Sequence, residues 1–300
     1  MSDRDSLASR QLPSMTLSDG SSSSKTAPPP ALPSHLTSTE RAQARFEVKG
    51  NAIVTGGAGT LALSAIRALL EHGLSGVALF DLENTLKSSD SAIEALRSDF
   101  PNAQIATLAV DVTDAGAVDH AVGQSVEQLG LITTLLCFAG IVGCVHAMDM
   151  RADQWRKTLD VNTTGSFLCG QAVAKRMATQ GTGGSIMFTA SISGHRVNYP
   201  QPQVAYNVSK AAVIATKNSL AAEWAVHGIR VNTISPGYMD TILNEGAGLE
   251  EARRSWANRN PFGRMGAVGE LDGAIVLLCS RAGSYINGAD IVIDGGGVVF

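Results

Sequence analysis

From residue 49 onward, short apolar runs alternate with helical stretches, and this alternation limits the fold more than any other feature. The runs are Ala52-Ile53-Val54, Val77-Ala78-Leu79-Phe80, Ile105-Ala106-Thr107-Leu108 and Leu135-Leu136-Cys137-Phe138. They continue with Ile186-Met187-Phe188, Ile229-Arg230-Val231 and Ile291-Val292-Ile293. Between them lie helical stretches such as Leu61–His72, Ala152–Leu168 and Ala211–His227. Strands that stay apolar on consecutive residues are buried on both faces, as in a parallel sheet with helical crossovers. The spacing predicts one α/β domain: a doubly wound parallel sheet of about seven strands with helices on both sides.

Composition agrees with a folded domain of this size. Apolar residues make up 44% of the 300 and charged residues 17%, enough for a sizeable core and too little charge for a disordered or coiled-coil chain. The net charge of −4, with no Lys/Arg stripe, argues against nucleic acid or an anionic membrane as a partner. Cys137, Cys144, Cys169 and Cys279 sit in apolar stretches without metal-ligand spacing. They read as buried reduced thiols of a cytoplasmic protein, with no metal. The longest uncharged run, Gln128 to Met148, holds Gln128, Thr133, Thr134, His146 and three glycines, and reads as a buried strand plus loop rather than a membrane span.

Residues 1 to about 45 differ from the rest. Eleven of the first 40 are Ser and five are Pro, so this stretch cannot bury enough apolar surface to offset its chain entropy and is expected to be a disordered tail. Residues 46–300 then form the folded domain.

The first strand runs into Thr55-Gly56-Gly57-Ala58-Gly59-Thr60-Leu61-Ala62, where Gly57-x-Gly59-x-x-Ala62 fits a dinucleotide fingerprint of the Rossmann type. Glycines there allow a tight turn and close backbone approach to a pyrophosphate lying on the helix N-terminus. Asp81 ends the second strand, 24 residues after Gly57. A carboxylate at that place accepts hydrogen bonds from a ribose 2′-OH and repels a 2′-phosphate, and no Arg or Lys follows it directly. The expectation is NAD, with NADP as the alternative.

The second constellation is Tyr206-Asn207-Val208-Ser209-Lys210, in which Tyr and Lys share one helix face. It follows Ala190-Ser191-Ile192-Ser193-Gly194. At this point the sequence resembles the short-chain dehydrogenase/reductase family, across essentially all of residues 49–300. The matched stretches, in the family's order, are Thr55–Ala62, Asp81, Asp111-Val112, Ala139-Gly140, Val161-Asn162-Thr163-Thr164-Gly165, Ser191 and Tyr206/Lys210. Arg230-Val231-Asn232, Ser235-Pro236-Gly237 and Asp294-Gly295-Gly296 complete them. The chain departs from the pattern at Thr60 and Ala62, where the family usually has Gly, and at Cys137-Phe138, where it has Asn-Asn.

The resemblance implies hydride transfer between a nicotinamide dinucleotide and a secondary alcohol or ketone. Tyr206 would be the general acid/base, Lys210 its electrostatic partner, Ser191 the group orienting the carbonyl or hydroxyl, and Asn162 the holder of a proton-relay water. The cofactor set would be Gly56, Gly57, Gly59, Thr60, Leu61, Asp81, Asp111, Val112, Ala139, Gly140, Tyr206, Lys210, Pro236, Gly237, Met239 and Thr241. Ser193 stands closer to the family's usual separation from Tyr206 than Ser191 does. Ser191 fits the Ser-x-x-Gly pattern, and a loop Val197–Gln203 lengthened by about two residues reconciles the two. Moving a tyrosine from a pKa of about 10 toward 7 takes roughly 4 kcal/mol, which one ammonium at ~4 Å supplies at an effective dielectric near 20.

The loop His195-Arg196-Val197-Asn198-Tyr199-Pro200-Gln201-Pro202-Gln203 is similar to that of polyol dehydrogenases and ketose reductases of the sorbose, mannitol and arabinitol types. Ser193, His195, Asn198 and Tyr238 are the candidate substrate contacts, with His195 read first as a structural hydrogen-bonder. Ile242 to Asn260 is expected to cap the substrate, with Trp256 as a packing aromatic. Two other readings stay open: a ketoreductase of secondary-metabolite intermediates, and a non-catalytic NAD-sensing scaffold. The apolar end Ile291–Phe300 is of the kind family members bury between subunits, which points to a homotetramer or homodimer.

Overall fold

A computed structural model describes residues 11–241 and 247–299. Seven strands form one parallel sheet in the order β3-β2-β1-β4-β5-β6-β7. They are β1 (Asn51–Thr55), β2 (Gly76–Asp81), β3 (Gln104–Ala109), β4 (Ile132–Cys137), β5 (Gly184–Thr189), β6 (Ile229–Pro236) and β7 (Asp290–Ile293). Each expected apolar run falls on one of these strands, except that Phe138 lies one residue past β4. The uncharged run from Gln128 is the end of a helix, then β4, then an open loop, as anticipated. Among the described residues no helix is long and apolar enough to cross a membrane.

The strands serve two cores because successive side chains alternate between faces. Ile53, Ala78, Phe80 and Leu135 face one side, covered by α5 (Ala115–Leu129), α7 (Ser166–Gln180) and α8 (Val204–Glu223). Ala52, Val54, Val77, Leu79 and Leu136 face the other, covered by α2 (Thr60–Glu71), by α4 (Asp90–Asp99), which follows the short α3 (Glu83–Ser88), and by α10 (Asp272–Cys279). Fully buried side chains such as Phe80, Ile53 and Leu135 each contribute roughly 1.5–3 kcal/mol of burial.

The expected helix Ala152–Leu168 is α6 (Ala152–Leu159), a single π-type turn over Asp160–Gly165, and then α7, which runs on to Gln180. The structure also differs from expectation in the N-terminal stretch. Ser38–Phe46 forms a helix, α1, although it buries no residue. Thr37 and Glu40 close a capping box: Thr37 Oγ1 accepts from Glu40 N at 3.3 Å and Glu40 Oε2 accepts from Thr37 N at 2.8 Å. That Thr-x-x-Glu signature satisfies helix-end donors locally, which a composition argument overlooks. Upstream, Lys25 donates to the Gly181 carbonyl at the end of α7, and Arg281 donates to the Pro30 carbonyl. The cysteines depart in part as well: Cys137 and Cys169 are buried and all four are free, but Cys144 is exposed.

Candidate active site

The chain reverses its direction of winding between β1 and β4, and the loops leaving their carboxyl ends part around a crevice, the place where open α/β sheets bind nucleotides. Gly56 turns there with φ +64°, and a Cβ on it would lie 2.6 Å from the Ala139 backbone nitrogen. A Cβ on Gly57 would lie 2.7 Å from the Val54 carbonyl oxygen. Any side chain at either position collides with backbone, so this turn requires glycine. Gly59 is the N-cap of α2, and no side chain caps that end, leaving first-turn amides, Thr60 and Leu61 among them, for an anion. Asp81 ends β2 beside the turn. Its Oδ2 accepts from Ala58 N at 3.2 Å and its Oδ1 from Leu82 N at 2.8 Å, which aims the carboxylate and leaves lone pairs on both oxygens. These groups fit a dinucleotide.

The loops from the neighbouring strands complete the crevice. Asp111, after β3, accepts from Thr113 N at 2.9 Å and Thr113 Oγ1 at 2.7 Å, and those bonds hold its carboxyl below the usual range. Val112 is buried against Gly165. Where the family's Asn pair is absent, Thr55 ties β1 to the β4 loop: its carbonyl accepts from Phe138 N at 2.8 Å and its hydroxyl from Ala139 N at 3.4 Å. Pro236 closes β6, Gly237 donates to the Ile293 carbonyl at 2.9 Å, and Met239 is buried beside Gly266. Thr241 is buried at the last residue before 242–246, which lie outside the described residues, so the first part of the expected cap does too. Its later part is helix α9 (Glu250–Asn258).

The proton-handling residues converge next to this crevice. Asn162 lies in the π turn, fully buried. Its Nδ2 donates to the Ile141 carbonyl and to Ser209 Oγ, each at 2.9 Å, while its Oδ1 accepts from Ile141 N at 2.8 Å. One lone pair on Oδ1 remains. A Cβ on Gly140 would sit 3.3 Å from that oxygen and 3.7 Å from Lys210 Nζ, so Gly140 keeps the space between them open. Lys210 is buried, donates to the Thr189 carbonyl at 2.7 Å and stands 5.5 Å from the Tyr206 ring centre. Ser191 lies close enough to the Tyr206 phenol to lower its pKa. Ser191 Oγ donates to Ser193 Oγ at 3.0 Å and accepts from Ser193 N at 3.1 Å, so the two serines form one buried pair, of which Ser191 is the one that lowers the phenol's pKa.

The electrostatics correct the sequence argument. Burial pushes Tyr206 above the ordinary tyrosine range, Ser191 pulls it part of the way back, and Tyr238 raises it again. Burial also carries Lys210 down to about 8. An ammonium this desolvated and bound to a carbonyl does not draw the phenol toward neutrality in the protein by itself.

The candidate substrate residues divide. Ser193 adjoins Ser191, and Asn198 and Tyr238 are joined by a hydrogen bond of 2.8 Å. His195 is not brought to the group: its Nε2 lies 2.7 Å from Asp290 Oδ2 and 3.2 Å from Ser235 Oγ, clasping the serine turn to β7 in the structural role. Sequence reasoning missed three carboxamides. Gln201 donates to Tyr238 Oη at 3.0 Å, and Gln203 donates to Ser193 Oγ at 3.3 Å and to Asn207 Oδ1 at 3.2 Å. The Gln201-Pro202-Gln203 run signalled hydrogen-bonding capacity, but without periodicity nothing told which side chains turn inward.

A doubly wound sheet with a glycine turn at its switch point and a Ser–Tyr–Lys cluster beside it defines a dinucleotide-dependent oxidoreductase. A family model described as Enoyl-(Acyl carrier protein) reductase matches residues 56–297. The chain is 36% identical over 272 residues to the NADP-dependent mannitol dehydrogenase of Hypocrea jecorina, covering 88% of this chain and 98% of that one. It is 39% identical to the ribulose-forming D-arabinitol 2-dehydrogenase of Scheffersomyces stipitis, covering 84% and 95%. The crystal structure of gox2181 superposes with a TM-score of 0.80 at 38% identity, covering 86% of this chain and 99% of that one. The chain belongs to the short-chain dehydrogenase/reductase family. It is an NAD(P)-dependent oxidoreductase that interconverts a secondary alcohol and a ketone.

Proposed function

We propose that the chain interconverts a polyol and a ketose with NAD, using Tyr206 as general acid/base and Ser191 to orient the reacting oxygen. The observation that carries this reading is the convergence of Tyr206, Ser191 and buried Lys210, with the carboxamide-rich loop beside them. In the oxidative direction the carbinol carbon loses a hydride and its oxygen loses a proton to Tyr206. A bound oxidised nicotinamide would supply the hydride acceptor and a positive charge beside the cluster, which the phenol needs because Lys210 alone does not offset its burial. Lys210 stands over the phenol ring, and Asn162, through its remaining lone pair, holds a water that returns the proton to solvent. The remaining cofactor contacts are those of the glycine turn, Asp81, the loops after β3 and β4, and the segment Pro236 to Thr241.

NAD is favoured by Asp81 at the end of β2 beside the glycine turn, since a carboxylate there would repel a 2′-phosphate. NADP is the second reading, because relatives such as the Hypocrea jecorina enzyme are named for it. Residues 46–300 form the catalytic unit, outside which the first 45 lie. The apolar end, with Val299 70% exposed, supports a homotetramer or homodimer. The test is to incubate the protein with NAD or NADP and a panel of sugar alcohols, and in reverse with ketoses and hydrophobic ring ketones. Turnover of sugar alcohols and ketoses with NAD is expected; turnover of ring ketones alone would contradict the substrate class.

A further inference from the structure

The loop before Tyr206 and the segment after β6 build a small polar subsite whose hydrogen-bonding capacity is left over in a particular way. Tyr238 Oη accepts two N–H groups, from Asn198 Nδ2 at 2.8 Å and from Gln201 Nε2 at 3.0 Å. Both of its lone pairs are thereby used, and its own proton has no acceptor among them, so the phenol can only donate. The direction of the Gln201 amide is set independently, because its Oε1 accepts from Trp256 Nε1 at 3.0 Å. Trp256 in turn lies flat on the Tyr238 ring, with centroids 4.2 Å apart and planes within 6°. Helix α9 and the loop thus hold the phenol from two sides.

Beside this lone donor is a lone acceptor. Asn198 is 9% exposed, and its Oδ1 is buried with no hydrogen-bond partner among the described residues, an arrangement that is unfavourable unless something donates to it. Asn198, Tyr238 and Trp256, with Arg196, Val197, Tyr199 and Arg259, line a cavity of about 10 Å³, room for one oxygen atom and its proton. A hydroxyl, of a ligand or of a water, both accepts from a phenol and donates to a carboxamide oxygen. A ketone oxygen satisfies only Tyr238, and an ammonium only Asn198. The phenol also lies near enough to Tyr206 to raise that group's pKa.

We propose that Tyr238 and Asn198 form a recognition subsite for one hydroxyl of a polyhydroxylated substrate, the phenol donating to its oxygen and the carboxamide oxygen taking its proton. Gln201 is the positioning residue that makes the phenol donor-only. This rests on the polyol/ketose reading and supplies the part of the pocket that tells such a substrate from a plain ketone.

The test measures kcat/KM for D-fructose and for 2-hexanone, six-carbon ketones with and without hydroxyls, in wild type, Tyr238→Phe and Gln201→Glu. Gln201→Glu keeps an acceptor for Trp256 Nε1 but replaces the second amide donor with a carboxylate oxygen, which captures the phenol's proton. Each variant should lower the fructose-to-hexanone ratio about tenfold or more, chiefly through KM for fructose. An unchanged ratio in either variant that folds overturns the subsite, with a structural water alone filling the cavity. Should Tyr238→Phe fail to fold, Gln201→Glu decides. Wild type that reduces 2-hexanone but no ketose would remove the polyol reading, and the subsite with it. Those two failures are distinct, since the first appears only in the variants and the second in wild type.

Discussion

At the scale of single residues, the site is defined by desolvation as much as by contact. Lys210 is the clearest case. Its pKa falls from 10.5 to about 8 because burial takes the ammonium out of water and one carbonyl does not replace that hydration. The unfolded chain therefore binds more protons at this residue between pH 8 and 10.5. Stability linked to Lys210 is fully present above about 10.5 and lost as pH falls through about 8. Denaturant unfolding at pH 8 and pH 10 should show wild type gaining on Lys210→Met as the pH rises. No relative gain would mean that the amine keeps its hydration in the fold. Tyr206, Lys210, Ser191 and Asn162 were legible in the sequence because their spacing carries chemistry. What spacing concealed was the sign of the balance at Tyr206, which depends on how deeply the phenol is enclosed.

Elements set these residues in place, and two do so through buried amides. The π turn at Asp160–Gly165 interrupts an otherwise continuous helix and leaves Asn162 clamped on the backbone of Ile141. Apolar periodicity reads straight through such a turn, because one extra residue barely disturbs the pattern. Farther along the sheet, fully buried Asn232 joins β6 to the segment before β7, its Nδ2 donating to the Ile286 carbonyl and its Oδ1 accepting from Ala289 N, both at 2.9 Å. Asn232→Leu strands both backbone groups inside the protein. It should lower unfolding stability by roughly 2–4 kcal/mol, read by urea titration. A loss below about 0.5 kcal/mol would show that the two segments do not depend on the amide. The strands themselves were visible as apolar runs because burial on both faces leaves no polar alternation to confuse them. The Tyr238–Gln201–Trp256 linkage was not, since it joins residues up to 55 positions apart through packing of α9.

For the whole molecule, the winding of the sheet brings a glycine turn, a strand-end carboxylate and a half-buried tyrosine to one edge from three separate stretches of chain. The domain was legible from alternation alone. Its N-terminal stretch was legible only in part, because Thr37 and Glu40 stabilise α1 locally while adding nothing to the core. The cofactor crevice and the proton-handling cluster rest on different loops, so loss of chemistry should not entail loss of dinucleotide binding. The most direct measurement compares wild type with Tyr206→Phe, following nicotinamide absorbance with NAD and a sugar alcohol and, in parallel, NADH binding by fluorescence. The account predicts that the variant has no measurable turnover while its NADH affinity stays within a few-fold of wild type. Turnover retained in Tyr206→Phe would contradict it.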